Sequence, residues 1–217
     1  MCLTIEILMI DTNIYNSYFE SLIQGKRNDC RLIVEGLIHD HHSVEGIYSD
    51  LFQPSLYQVG EYWERNLISV ATEHMATAIT ESLMILMQPG IFATERVGKK
   101  AVIASVAGEY HQVGAKMVAD IFEMNGWDGF FLGGNTPEKE LIRFIDQNKP
   151  DVIGLSLTIF FNYPVLISGI QRIRHYFDDI PLIVGGQAFK WGGRTDTLGQ
   201  FKETYYLDSI GELNRFF

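Results

Sequence analysis

The sequence predicts an α/β protein in two parts, an N-terminal four-helix bundle cap (residues 1–92) and a five-stranded parallel sheet flanked by helices (residues 98–217). Three observations predict it. Apolar residues in the first 90 or so positions recur only at helical spacing. From Lys99 onward, short apolar runs alternate with amphipathic segments, the pattern of βαβ units. Between them, 92–100 reads as a linker, because the hydrophobic period changes across it.

In order, 15–23 is a short amphipathic helix stopped by Gln24-Gly25. Leu32, Ile33, Leu37 and Ile38 mark a second helix that ends at His39-Asp40-His41-His42. Segments 44–52 and 55–63 form a third, bent at Pro54, which lacks a backbone donor. Ser69 is placed to cap a fourth running to Met87, closed by Pro89-Gly90. Strands are expected near 101–106, 129–132, 151–157, 181–185 and 203–207. Helices are expected near 112–125, 138–147, 163–177 and 188–199, with a short terminal one near 209–215. Right-handed crossovers leave few topologies, and the flavodoxin-like, Rossmann-like order 2-1-3-4-5 is the expected one.

Composition narrows the function. The chain has 217 residues, 47% hydrophobic and 20% charged, enough to bury a substantial core. A net charge of −10 disfavours wrapping nucleic acid or an anionic membrane. Cys2 and Cys30 form no CxxC and are too few for a disulfide scaffold, so a reducing cytoplasm is expected. The apolar start, 1–10, carries Glu6, has no basic leader and is too short to span a bilayer.

The chemistry concentrates in Gly108-Glu109-Tyr110-His111-Gln112-Val113-Gly114, between the run Ala101-Val-Ile-Ala-Ser-Val106 and the following helix. This puts His111 just beyond the carboxyl end of the first strand, where doubly wound folds bind ligands. One ring nitrogen of His111 is then available to a ligand, while an acid two residues earlier accepts the other N–H. Gly114 lets a bulky group approach the backbone. Ser156 and Thr158 follow the third strand, and Gly185-Gly186 the fourth, so small side chains cluster at the switch point and leave a slot. His39, His41 and His42 around Asp40 have donors that suit zinc, but at a helix end they read as solvated cations.

Glu109-x-His111-x-x-Gly114, then Ser156-x-Thr158, then Gly185-Gly186, in that order, resembles the cobalamin-binding domains of methionine synthase, corrinoid methyl carriers, B12-dependent mutases and B12 light sensors. Leu132-Gly133-Gly134-Asn135-Thr136-Pro137 also matches the family's loop after the second strand. The resemblance implies cobalamin bound base-off, with His111 as lower axial ligand to cobalt and Glu109 as its partner. It implies that Tyr110, Gln112, Val113, Gly114 and Gly133 line the cofactor site. The dimethylbenzimidazole tail would enter the slot at Ser156, Thr158, Gly185 and Gly186. Most such domains carry Asp where this chain has Glu109.

In the cap, Trp63 precedes Glu73-His74 by nine residues, which resembles the Trp-x9-Glu-His signature of B12 light-sensing regulators. There the tryptophan and acid cover the upper face of adenosylcobalamin. No stretch here resembles those regulators' helix-turn-helix, so direct DNA contact is not expected. Glu64 stands where the best-known sensor has histidine. The expectation is a cytoplasmic corrinoid protein holding adenosylcobalamin or methylcobalamin, with no complete catalytic site of its own. A sensor module, photoreceptor-like and acting through a regulator, is the first reading. A methyl carrier serving separate methyltransferases is the alternative. Self-association is left open.

Overall fold

A computed structural model describes residues 9–190, 192 and 195–217. The chain divides into two compact units, Met1–Gly90 and Ile91–Phe217. Cys2 and the start of the chain lie outside the described residues, as do 191, 193 and 194 within the expected helix 188–199.

The first unit is helical. α1 (Thr12–Ile23) begins at Asp11, whose carboxylate accepts the Asn13 N–H, satisfying one orphan donor of the first turn. α2 (Arg27–His39) follows after three residues. α3 (Val44–Ile47), capped by Ser43, runs into a π-helical turn, Tyr48–Phe52, and then into α4 (Gln53–Glu64). Pro54 sits in the first turn of α4. Because Pro54 cannot donate to a carbonyl four residues back, the hydrogen-bond ladder is broken there, and the widened turn falls just before it. Ser69 accepts the Thr72 N–H at 3.1 Å to start α5 (Val70–Leu83). The fourth helix was expected to continue to Met87. Instead it tightens into a 3-10 turn, Met84–Met87, before the four-residue α6 (Gln88–Ile91). Tyr18, Leu22, Val34, Tyr48, Leu51, Phe52 and Ala76 are fully buried, and the rings of Tyr18 and Phe52 lie 5.8 Å apart. Each large side chain so buried contributes ~1.5–3 kcal/mol.

The second unit holds β1 (Lys100–Ser105), β2 (Asp128–Phe131), β3 (Val152–Ser156), β4 (Leu182–Gly185) and β5 (Thr204–Tyr206), all parallel, in the order 2-1-3-4-5. The linker is fastened to this unit, Val97 N–H donating to Gly126 O at 2.8 Å and Arg96 to Trp127 O at 2.6 Å. α7 (Val113–Met124), α8 (Glu138–Asn148) and α9 (Tyr163–Tyr176) are the crossovers. One face of the sheet presents Val102, Ala104, Ile153, Leu155, Leu182 and Val184 to Leu141 and Ile145 of α8 and to Leu166, Ile170 and Ile173 of α9. Register places Ser105, Ser156 and Gly185 side by side at the carboxyl ends of β1, β3 and β4. Strand alternation puts that row on the opposite face.

The expected helix 188–199 is corrected to a 3-10 turn, Gln187–Phe189, and a four-residue α10 (Thr195–Leu198). Gly192-Gly193 accounts for this, since each glycine costs ~1 kcal/mol in a helix. The terminal segment, Ile210–Phe216, is 3-10 rather than α.

Candidate functional site

β1 ends at Ser105, and the chain then turns through Gly108 at positive φ before α7 begins at Val113. Three neighbouring segments hold this loop. The buried Ser105 hydroxyl donates to the His111 carbonyl at 2.9 Å. Asn135, itself at positive φ, donates its N–H to the Glu109 carbonyl at 2.6 Å, and its side-chain oxygen accepts the Gly108 N–H at 2.8 Å. Gln112, which offers α7 no side-chain cap, instead accepts the Gly134 N–H at 3.0 Å. From the β3 side, Asn162 donates to the Gly108 carbonyl at 3.3 Å.

Glu109 is 1% exposed and its carboxylate receives four hydrogen bonds. One oxygen takes the His111 backbone N–H at 3.1 Å and lies 2.5 Å from His111 Nδ1. The other takes the backbone N–H groups of Thr158 at 3.0 Å and Ile159 at 2.8 Å. Burial alone raises the pKa of this carboxyl, but the hydrogen bonds from the His111 ring, Ile159 N–H and His111 N–H, with the His111 charge, pull it down to about 2. The anion therefore fixes which imidazole nitrogen carries the proton. Half of the His111 side chain stays exposed, and because Glu109 engages Nδ1, a metal would be held through Nε2.

Space around the loop is uneven. A Cβ built on Gly114 meets nothing within 4 Å, whereas one on Gly133 comes 3.4 Å from the Gln112 amide oxygen. Val113 is buried under the loop, and Tyr110 is 74% exposed. Across the sheet, Ser156 is partly buried on the same row as Ser105 and Gly185, and Thr158 lies just beyond it. Gly186 has a different role: at φ 118° its Cβ would sit 2.2 Å from the Leu157 carbonyl, so this position needs glycine for packing. Tyr110, Ile159, Phe160 and Phe161 are all exposed, giving the loops at this end of the sheet an apolar rim.

The structure thus brings Glu109, His111 and Thr158 into one hydrogen-bonded group, with Gln112 bonded to the loop of Gly133 and Gly134, Ser156 and Gly185 ending the adjacent strands, and Gly186 just past β4. Trp63, Glu73 and His74 belong to the first unit. There Trp63 is 43% exposed at the end of α4, and Glu73 in the first turn of α5 accepts from Thr77 at 3.2 Å and lies 3.4 Å from His74 Nε2. Among the described residues no three His, Cys, Asp or Glu side chains, those of His39–His42 included, gather as ligands. Sequence reasoning did not single out Ser105, Asn135 or Asn162. A hydroxyl in an otherwise apolar buried strand and an asparagine in a Gly-Gly-Asn turn were the available signals.

Residues 99–195 match the family model of the B12 binding domain, and residues 14–87 match a second B12 binding domain model. Over 143 residues the chain is 27% identical to the HTH-type transcriptional repressor CarH of Myxococcus xanthus, covering 65% of this chain and 47% of the repressor. Over 119 residues it is 25% identical to CarA of the same organism, covering 55% and 41%. It spans less than half the length of these curated relatives. The fold is that of the Methanosarcina barkeri monomethylamine corrinoid protein, with a TM-score of 0.81 over 95% of this chain and 98% of that one, at 12% identity. Against the M. barkeri methanol:cobalamin methyltransferase complex MtaBC the TM-score is 0.50, covering 96% and 79%, at 15% identity. No helix among the described residues is long and apolar enough to cross a membrane.

Proposed function

From the premise that this chain carries a B12 binding domain behind a second, helical B12-binding segment, we propose that it is a corrinoid carrier that holds cobalamin through His111 and presents it to a separate methyltransferase. The observation that carries the cobalamin site is the Glu109–His111 pair at the carboxyl end of β1, 2.5 Å apart, with half of the imidazole open to solvent. The donor set fits the group. A neutral imidazole is a common ligand to transition metals, and the partner acid fixes its tautomer. The open space at Gly114 and the exposed rim of Tyr110, Ile159, Phe160 and Phe161 suit a broad, largely apolar macrocycle. The small-residue row Ser105, Ser156 and Gly185 suits a nucleotide tail inserted beside the sheet.

When bound, cobalamin supplies a cobalt–carbon bond that can hold an alkyl group and give it up. His111 would ligate the metal, the exposed loops beside it would seat the ring, and the row Ser105, Ser156 and Gly185 would take the tail. Two features support carriage over sensing: the likeness in fold to a corrinoid protein along nearly its whole length, and Glu64 in the position after Trp63, where an oxygen donor replaces imidazole. Sensing of adenosylcobalamin or light through a protein partner is the second reading. It is favoured by Trp63 followed by Glu73-His74 and by the sequence similarity to the Myxococcus repressors.

Absorption titrations with methylcobalamin and hydroxocobalamin test the site. The wild type is expected to give a histidine-ligated, base-off spectrum that His111→Ala loses together with affinity. An unchanged spectrum and affinity in His111→Ala would remove the assignment. Spectra after illumination separate the two readings. A two-imidazole product in the wild type that vanishes in His74→Ala would favour the sensor, and its absence is expected for the carrier.

A further inference from the structure

The Glu109 carboxylate faces two ways: one oxygen holds His111, and the other closes on the backbone of the segment after β3. The geometry points to the Thr158 and Ile159 backbone amides as positioning groups for the imidazole, acting through Glu109 to hold the ligand and the β3–α9 segment as one braced piece before any cofactor arrives. This rests on His111 being the cobalt ligand.

The carboxylate has two oxygens and four N–H donors, two of them 49 and 50 residues away in sequence. A side chain held at both oxygens keeps one rotamer, and so the acceptor facing Nδ1 cannot swing away. The ring is therefore aimed by groups in the loop after β3 as well as by its own loop. The length of the acid matters here. Aspartate is shorter by one carbon–carbon bond, about 1.5 Å, so it cannot hold 2.5 Å to Nδ1 and 2.8–3.0 Å to both amides from the same backbone. Glutamate at this position spans from the β1 loop to the β3 loop. The same two amides also set the start of Ile159-Phe160-Phe161, so the exposed apolar rim and the imidazole are referred to a single anchor.

Two measurements test this on the full chain. In the cofactor-free protein, amide hydrogen exchange at Thr158 and Ile159 is expected to be slow in the wild type. It should accelerate about tenfold or more in Glu109→Asp and in Glu109→Gln. Equal exchange in all three would overturn the brace. In the second measurement, Ile159→Pro removes the N–H while keeping part of the apolar bulk, and Ile159→Ala removes more of the bulk but keeps the N–H. Titrated with hydroxocobalamin, Ile159→Pro should weaken binding by about tenfold or more, as loss of a ligand's supporting partner does, with a weakened histidine-ligated spectrum. Ile159→Ala should keep that spectrum. Equal spectra in the two variants would refute a role for the amide. If the wild type itself shows no histidine-ligated spectrum, the reading of His111 fails, and the exchange data still decide whether the brace exists.

Discussion

Replacing Glu109 by glutamine removes one charge at constant shape and should destabilise the empty protein, by an amount that depends on pH. In the folded chain the carboxyl titrates near 2, against an ordinary value of 4.5. At ~1.36 kcal/mol per pH unit, this difference is worth about 3 kcal/mol. Because the folded value is lowered, the stabilisation is fully present above pH 4.5 and is lost as pH falls towards 2. Glu109 is 1% exposed, so solvent screens little of it. In Glu109→Gln one carboxylate oxygen becomes an NH2 group facing a backbone N–H, so at least one buried group is left unpaired. Urea unfolding followed by circular dichroism, with a transition fitted for each unit, measures the gap between wild type and variant. The gap should be about 3 kcal/mol or more at pH 7 and should shrink by about 2 kcal/mol at pH 3. Other carboxylates titrate equally in both chains and cancel. A gap below about 1 kcal/mol at pH 7, or one that does not change with pH, would refute the electrostatic account of this residue.

Two glycines should respond oppositely. Gly114→Ala adds a methyl group into open space within α7 and should leave stability unchanged or raise it by up to ~1 kcal/mol, while weakening cobalamin binding in an absorption titration. Gly186→Ala meets the Leu157 carbonyl and should lower urea stability by at least ~1–3 kcal/mol; a stable Gly186→Ala would show that this turn relaxes freely. In the small-residue row, Gly185→Val and Ser156→Leu should cost about 1–3 kcal/mol by overpacking and should weaken cobalamin more than cobinamide, which lacks the nucleotide. Equal losses for the two corrinoids would argue against a tail slot here.

Much of the fold could be read from the sequence because the period of its apolar residues is unambiguous. The runs through Val102 and Ile153 are continuous because helices cover both faces of the sheet, and Ser69 caps α5 by the chemistry its residue type suggests. What failed was local. The segment around Gly192-Gly193 carries apolar residues at helical spacing but too little helix propensity, and the chain past Leu83 winds more tightly than an α-helix without any Pro or Gly until Pro89. In the site, the spacing of Glu109 and His111 indicated a pair. It could not indicate Thr158 and Ile159 as donors, because a backbone N–H carries no side-chain signature. Asn135 stands in a Gly-Gly-Asn loop, but its three-way bracket of the β1 loop depends on a positive φ that only the folded chain shows.

The widened turn at Tyr48–Phe52 has an evolutionary consequence for Trp63. Ser55 and Val59 form the buried stripe of α4, and Trp63, four residues further on, continues that stripe to where it emerges into solvent. Successive α-helical residues are separated by about 100°, so one residue gained or lost in a regular helix would rotate everything downstream by roughly that angle. A wide turn is the form in which a helix accommodates such an inserted residue without breaking. A single-codon deletion there would close the wide turn to an α-turn and leave the indole facing as it does. Lineages of this chain can therefore gain or lose a residue at this turn while Trp63 keeps its direction, a kind of variation that a comparison of residue identities at position 63 would miss.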